Sequence, residues 1–198
     1  MTLTRTLTRS IAMLAAVLIL GGWTTTAVAQ KAGSNTSVHD YCTSTGGRVE
    51  VRVPYYGTNG AKNTWLRLAG KESFCQYTAS DGSRIHVSQE TLYTTLPTLA
   101  ALAYYSQVAW NGQGQGNPAS LYCTQLGGSD LFGGINLAGG GWVENGAIDE
   151  VLEACIFPDN STIDSWGLFY HSANIIRGID LSTVLRYKNP YATRKNNQ

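Results

Sequence analysis

The chain has 198 residues, 43% of them hydrophobic, and its 14 basic and 13 acidic side chains leave a formal charge of +1. That length accommodates one domain or two small ones, and the near-neutral balance excludes a nucleic-acid binder that works through overall basicity.

Arg5 and Arg9 precede an apolar stretch from Ile11 to Leu20, and small residues Ala27 and Ala29 follow at the spacing of a signal-peptidase site. Residues 1–29 therefore read as a signal peptide cleaved near Ala29, and the remainder as a periplasmic or secreted protein. The apolar stretch is short of the roughly 20 residues that span a bilayer, so no stable membrane anchor is expected. Loss of Arg5 and Arg9 takes the formal charge from +1 to −1. The basic cluster Arg186, Lys188, Arg194 and Lys195 falls near the C-terminus, where residues 188–198 read as a flexible, solvated tail.

"YCTSTGG" begins at Tyr41 and returns as "YCTQLGG" at Tyr122; "FCQYTASDGSRI" from Phe74 likewise returns as "ACIFPDNSTI" from Ala154. The chain is thus a duplicated unit: residues 36–110 with a trailing helix, a linker over 111–116, and residues 117–187. In the first copy Val38, Tyr41, Cys42 and Thr45 share one face of a short helix, and the Gly46–Gly47 pair ends it. "RVEVRV" then alternates Val49, Val51 and Val53 against Arg48, Glu50 and Arg52, which predicts a strand with its valine face buried. "TWLRL", "FCQY" and "SRIHV" continue the strand reading. "LPTLAALAYYSQVAW" reads as a helix with Pro97 in its first turn, and "NGQGQGNP" as the linker.

The second copy opens with Asn117 as N-cap and Pro118 at the first helical position, and places Ala119, Tyr122, Cys123 and Leu126 on one face. Its glycine-rich "LFGGINLAGGGWVENG" predicts a hairpin with a long or irregular loop, and "LSTVLRYK" a closing helix shorter than the first copy's. The fold class is α+β: two related small units, each a short helix followed by antiparallel strands.

Four cysteines in an exported chain, as two pairs of matched spacing, read as structural disulfides. The repeat favours Cys42 with Cys75 and Cys123 with Cys155 among the three connectivities. No C-x-x-C pair suggests zinc or redox chemistry, and no metal or cofactor is expected.

Around "NPASLYCTQLGG" and "CIFPDNSTIDSWGLFYH" the second unit resembles a family of short exported bacterial domains that carry a hemolysin label and have no known function. The resemblance runs through Asn117, Pro118, Ala119, Ser120, Tyr122, Cys123, Gly127, Gly128, Cys155, Phe157, Pro158, Asp159, Ser161, Trp166 and Tyr170, and the first unit is a weaker copy. Members commonly carry two further cysteines, where this chain has Ile163 and a residue near Ala173 or Asn174. If those two pair with each other in relatives, their joint loss leaves no orphan thiol and supports the pairing above. The resemblance supplies no catalytic residues.

None of His39, His86 and His171 sits in a nucleophile or metal motif, so surface or packing roles are expected and no catalytic residue is assigned. Asp81 with Ser83, and Asp159 with Ser161, fit tight turns. The aromatic surplus around Trp166, Phe169 and Tyr170, with Pro158 and Asp159 of the neighbouring turn, marks a candidate binding surface. These features point to an exported, non-enzymatic binding or structural protein with a protein or glycan partner in the envelope or outside the cell, and no nucleic-acid partner. A protease inhibitor built on the Pro158 turn and a membrane-active hemolysin are the alternatives, followed by an enzyme that would bring His171 to Asp159 or a serine in a cleft.

Overall fold

A computed structural model describes residues 37–130, 137–144 and 147–191, with 147–150 described as backbone alone. The leader and most of the tail expected from the sequence lie outside these residues.

Each half opens on a capped helix. Ser37 and Asp40 close a capping box on α1 (Val38–Ser44), and the Asn117 side chain accepts from the Ala119 and Ser120 amides of α4 (Pro118–Gln125). Gly46 and Gly127, at φ +87° and +84°, then turn the chain out of each helix through the left-handed region. Cys42 and Cys123 face inward, fully buried, and form the disulfides Cys42–Cys75 and Cys123–Cys155.

The second glycine of each pair is fixed by close approach. A Cβ on Gly128 would run into Cys155 Sγ and lie 2.9 Å from Cys123 Sγ; Gly47 has the same relation to Cys75 and Cys42. Gly128→Ala is therefore expected to cost about 1–3 kcal/mol through overpacking, read as a lowered urea midpoint at unchanged slope.

The strands are β1 (Arg48–Tyr56), β2 (Leu66–Arg67), β3 (Glu72–Thr78), β4 (Arg84–Ser88), β5 (Gly140–Glu144), β6 (Ala147–Leu152), β7 (Ala154–Ile156) and β8 (Thr162–Asp164). Between and after them lie α2 (Gln89–Tyr93), α3 (Leu99–Ser106), α5 (Ser165–Ser172) and α6 (Leu181–Val184). The two halves share one antiparallel sheet, ordered β6-β5-β1-β3-β4-β8-β7, with β2 beside β1. Its end strands β6 and β7 are parted by Glu153 alone, so the sheet curls back on itself as an open barrel whose ends are joined by the chain. Phe74 of β3 packs with Leu152 of β6 and Ala154 of β7, three strands away by either route, a contact that a flat sheet forbids.

The duplication is written into the pairing. Cys75 pairs with Val87, and its counterpart Cys155 pairs with Ile163. The pairing thus makes Val87, and not the Ile85 that the aligned stretches set against it, the counterpart of Ile163, and these two residues pair where the halves join. Val53 and Val143 meet at the other join, flanked by Arg52–Glu144 and Pro54–Trp142. The pairing of Val87 with Ile163 gives the halves a local pseudo-twofold relation at that seam. The counterpart of β1 is interrupted: Ser129 bridges Ile156, and the chain rejoins the sheet only at β5.

The helices cover the outer face over Tyr77, Ile85, Val87, Leu92, Tyr104, Tyr122, Ile163, Leu168 and Leu181, all nearly or fully buried. α3 differs from expectation at both ends. Thr98 caps it, which leaves Pro97 outside the first turn, and Gln107 at φ +45° stops it before Val108. The charged face of β1 also departs from expectation. Val51 is 43% exposed, whereas Glu50 and Arg52 are 1% exposed, because alternate residues of β1 point into the barrel. Among the described residues no helix is long and apolar enough to cross a membrane.

Candidate functional site

Glu50 is the hub of the barrel interior. One carboxylate oxygen accepts from Arg48, and the other lies 2.5 Å from Arg52 Nη2 and 3.5 Å from His86 Nε2. Arg48 also pairs with Glu144 at 2.9 Å, and Arg52 donates to the Trp142 carbonyl at 3.1 Å. His86, two strands from Arg52, places Nδ1 3.1 Å from Asp164 Oδ2. The other oxygen of Asp164, Oδ1, accepts from the Gly167 amide and so caps α5.

These contacts set the charge states. Burial works to raise the Glu50 pKa, but His86 and Arg52 outweigh it and hold the carboxyl at about 2, from an ordinary 4.5. Burial works to lower the His86 pKa, and Asp164 and Glu50 overcome it, so the imidazole titrates above its ordinary 6.5.

Above this floor a cavity of about 590 Å³ opens at the barrel's mouth. Arg52, His86, Leu152 and Asp164 form its base; Arg84, Glu153, Trp166, Tyr170 and Arg177 form its walls. Alternation along β4 brings Arg84 to the same face as His86, and the i, i+4 spacing on α5 brings Trp166 and Tyr170 together, ring centroids 5.8 Å apart. Glu153, the residue that separates β6 from β7, accepts from the Asn117 side chain at 2.6 Å and lines the cavity together with Trp166. Burial first, then Asp130, raise the Glu153 pKa. Arg177 donates Nε to the Arg84 carbonyl at 3.3 Å and lies 5.0 Å over the Tyr170 ring.

Of the residues the sequence marked as a binding surface, Trp166 and Tyr170 line this cavity. Phe169 turns to the opposite side of α5, edge-on to Trp110 at 5.1 Å and to Tyr122 at 6.2 Å. Pro158 and Asp159 occupy an exposed turn, where Asp159 accepts from the Ser161 amide and, at 2.8 Å, from the Leu99 amide of α3. His171 stacks on Tyr104 with centroids 3.8 Å apart, a packing role. His86, expected from the sequence in a surface or packing role, is buried and joins the network of Glu50 and Asp164. Its partner Asp164 carried a signal, since it follows Ile163 as Ser88 follows Val87, and both cap helices.

No family model matches this chain, and no curated protein or solved structure does either.

Proposed function

We propose that this is an exported binding protein that takes a small ligand into the mouth of its barrel. The supporting observation is the cavity itself: about 590 Å³, the size of small-molecule sites, with aromatic walls and a rigid charged base. Two disulfides suit an oxidising compartment, which agrees with the leader read from residues 1–29.

The His86–Asp164 pair has the form of an acid–base dyad, and its surroundings favour binding over proton transfer. Nδ1 is taken by Asp164, and Nε2 is enclosed by Gln76 at 3.1 Å, Arg52 at 3.3 Å and Glu50 at 3.5 Å. A general base needs one ring nitrogen within reach of substrate, and here both are engaged by the protein. The network holds the cavity base in one arrangement.

Saturation-transfer NMR against a mixture of sugars, amino acids and aromatic acids tests the reading. A subset should give signal, and Trp166→Ala should weaken its binding about tenfold through loss of the ring contact. If every signal survives Trp166→Ala unchanged, the mouth of the barrel is not the site.

A further inference from the structure

We infer that the ligand is a neutral sugar, a polyhydroxylated ring laid with its C–H face on Trp166 and its hydroxyls toward the polar base of the cavity. This inference rests on the binding reading above.

The charged groups around the cavity are already engaged within the protein. Arg52 donates Nε to Glu50 at 2.6 Å, and His86 meets Asp164 at 3.1 Å. Arg84 has a partner in the protein as well. Arg177 donates Nε to the Arg84 carbonyl at 3.3 Å, and its charge, after the Ser83 contacts, helps to lower the Asp81 pKa. Glu153 accepts from Asn117 at 2.6 Å, and burial first, then Asp130, raise its pKa and favour its neutral form. Among the described side chains, no charge at the cavity is left without a partner. A charged ligand would therefore give up its hydration without gaining a counter-ion.

Hydrogen-bonding capacity remains where uncompensated charge does not. A carboxylate can accept about four hydrogen bonds, and Asp164 accepts one on each oxygen, from His86 and from the Gly167 amide. Arg177 commits Nε, and its terminal nitrogens make no hydrogen bond among the described residues. The lining thus keeps both donors and acceptors. A hydroxyl donates and accepts at once, so a ring of hydroxyls satisfies either kind without carrying charge. Aliphatic lining is confined to Val151 and Leu152, and a hydrocarbon or bare aromatic ligand would bury the polar groups unpaired, at about 1–3 kcal/mol each. Arg177 lies over Tyr170, which leaves the half-buried Trp166 as the ring platform. Its indole offers the C–H face of a sugar a broad apolar contact.

Titration calorimetry with congeners that share a ring and differ in charge tests the class: glucose against glucuronate and glucosamine, galactose against galacturonate and galactosamine, with benzyl alcohol as the uncharged aromatic. At least one neutral hexose is expected to bind about tenfold more tightly than its acidic and basic congeners, and added salt should leave its affinity within about twofold. Trp166→Ala, at an unchanged melting temperature, should weaken that hexose about tenfold, and a hexose indifferent to the substitution would overturn the inference. Tighter binding of a uronate or an amino sugar would overturn the neutral class and leave the binding site standing. Tighter binding of benzyl alcohol would do the same to the hydroxyl recognition. If no probe binds, the inference fails, and the binding reading is then judged by its own mixture screen.

Discussion

Glu50→Ala is expected to destabilise the protein by about 3–5 kcal/mol, the usual consequence of stripping the partner from a buried charge. Glu50 is the anion on which Arg48, Arg52 and His86 converge, and its side chain is fully buried. Removing it takes from Arg52, itself 1% exposed, the carboxylate oxygen that lies 2.6 Å from its Nε and 2.5 Å from its Nη2. Against a typical total stability of about 5–15 kcal/mol, such a loss leaves a large unfolded fraction. The double substitution Glu50→Gln with Arg52→Met should recover much of the loss, because a neutral interior no longer has an orphaned charge to solvate. Urea denaturation of wild type, single and double variants checks this; a double variant no better than Glu50→Ala would mean that shape, and not charge, sets the cost.

The same cluster gives stability a pH profile. Glu50 is depressed from 4.5 to about 2, so its contribution is complete above pH 4.5 and is lost as pH falls toward 2. His86 is raised above 6.5, so its contribution is complete below pH 6.5 and is lost as pH rises through the folded value. His171 acts in the opposite sense: burial lowers its pKa, so its contribution is complete above pH 6.5 and is lost as pH falls through the folded value. In a His171→Phe background, which keeps a ring on Tyr104, the loss of stability as pH rises above 6.5 should belong to His86, and Glu50→Gln should shrink the low-pH limb, to which Asp40, Asp81 and Asp159 also contribute through their lowered pKa values.

Why the valine alternation in β1 misled about burial is a matter of topology. The period of two was correct, and it placed Glu50 and Arg52 together on one face. Charge on a strand ordinarily means solvent, and only closure of the sheet converts that face into an interior. Nothing local to "RVEVRV" announces that Trp142, His86 and Asp164 will arrive from distant strands to satisfy it. The helices were more legible, because caps such as Ser37 and Asn117 act over three or four residues. The sequence marked Trp166, Phe169 and Tyr170 alike as an aromatic surplus and predicted no helix there; that Trp166 and Tyr170 line the cavity while Phe169 packs on the outer core depends on where α5 forms and packs. The shared sheet lay beyond the repeat itself, since a duplicated unit can close on its own copy or stand apart, and the seam pairs Val53–Val143 and Val87–Ile163 decide that.

Removing both disulfides, as Cys42→Ser, Cys75→Ser, Cys123→Ser and Cys155→Ser together, should leave no cooperative unfolding transition at room temperature. Each bridge closes a loop, with sequence separations of 33 and 32, and a loop of that length restricts the unfolded chain by about 3–4 kcal/mol. Two such losses are comparable with the whole stability of a domain this size. The replaced sulfurs also leave hydroxyls in fully buried sites packed against Gly47 and Gly128, which lose their hydration on folding. The pseudo-twofold arrangement makes the single-bridge variants informative. Each disulfide ties a helix to one strand of the common sheet, α1 to β3 and α4 to β7, so neither half is held by its own bridge alone. Cys42→Ser with Cys75→Ser, and Cys123→Ser with Cys155→Ser, should therefore each lower one shared melting transition instead of melting one half and sparing the other. Calorimetry that resolved two transitions in either variant would show that the halves fold separately, and the closed sheet would then be a weak seam between two independent units.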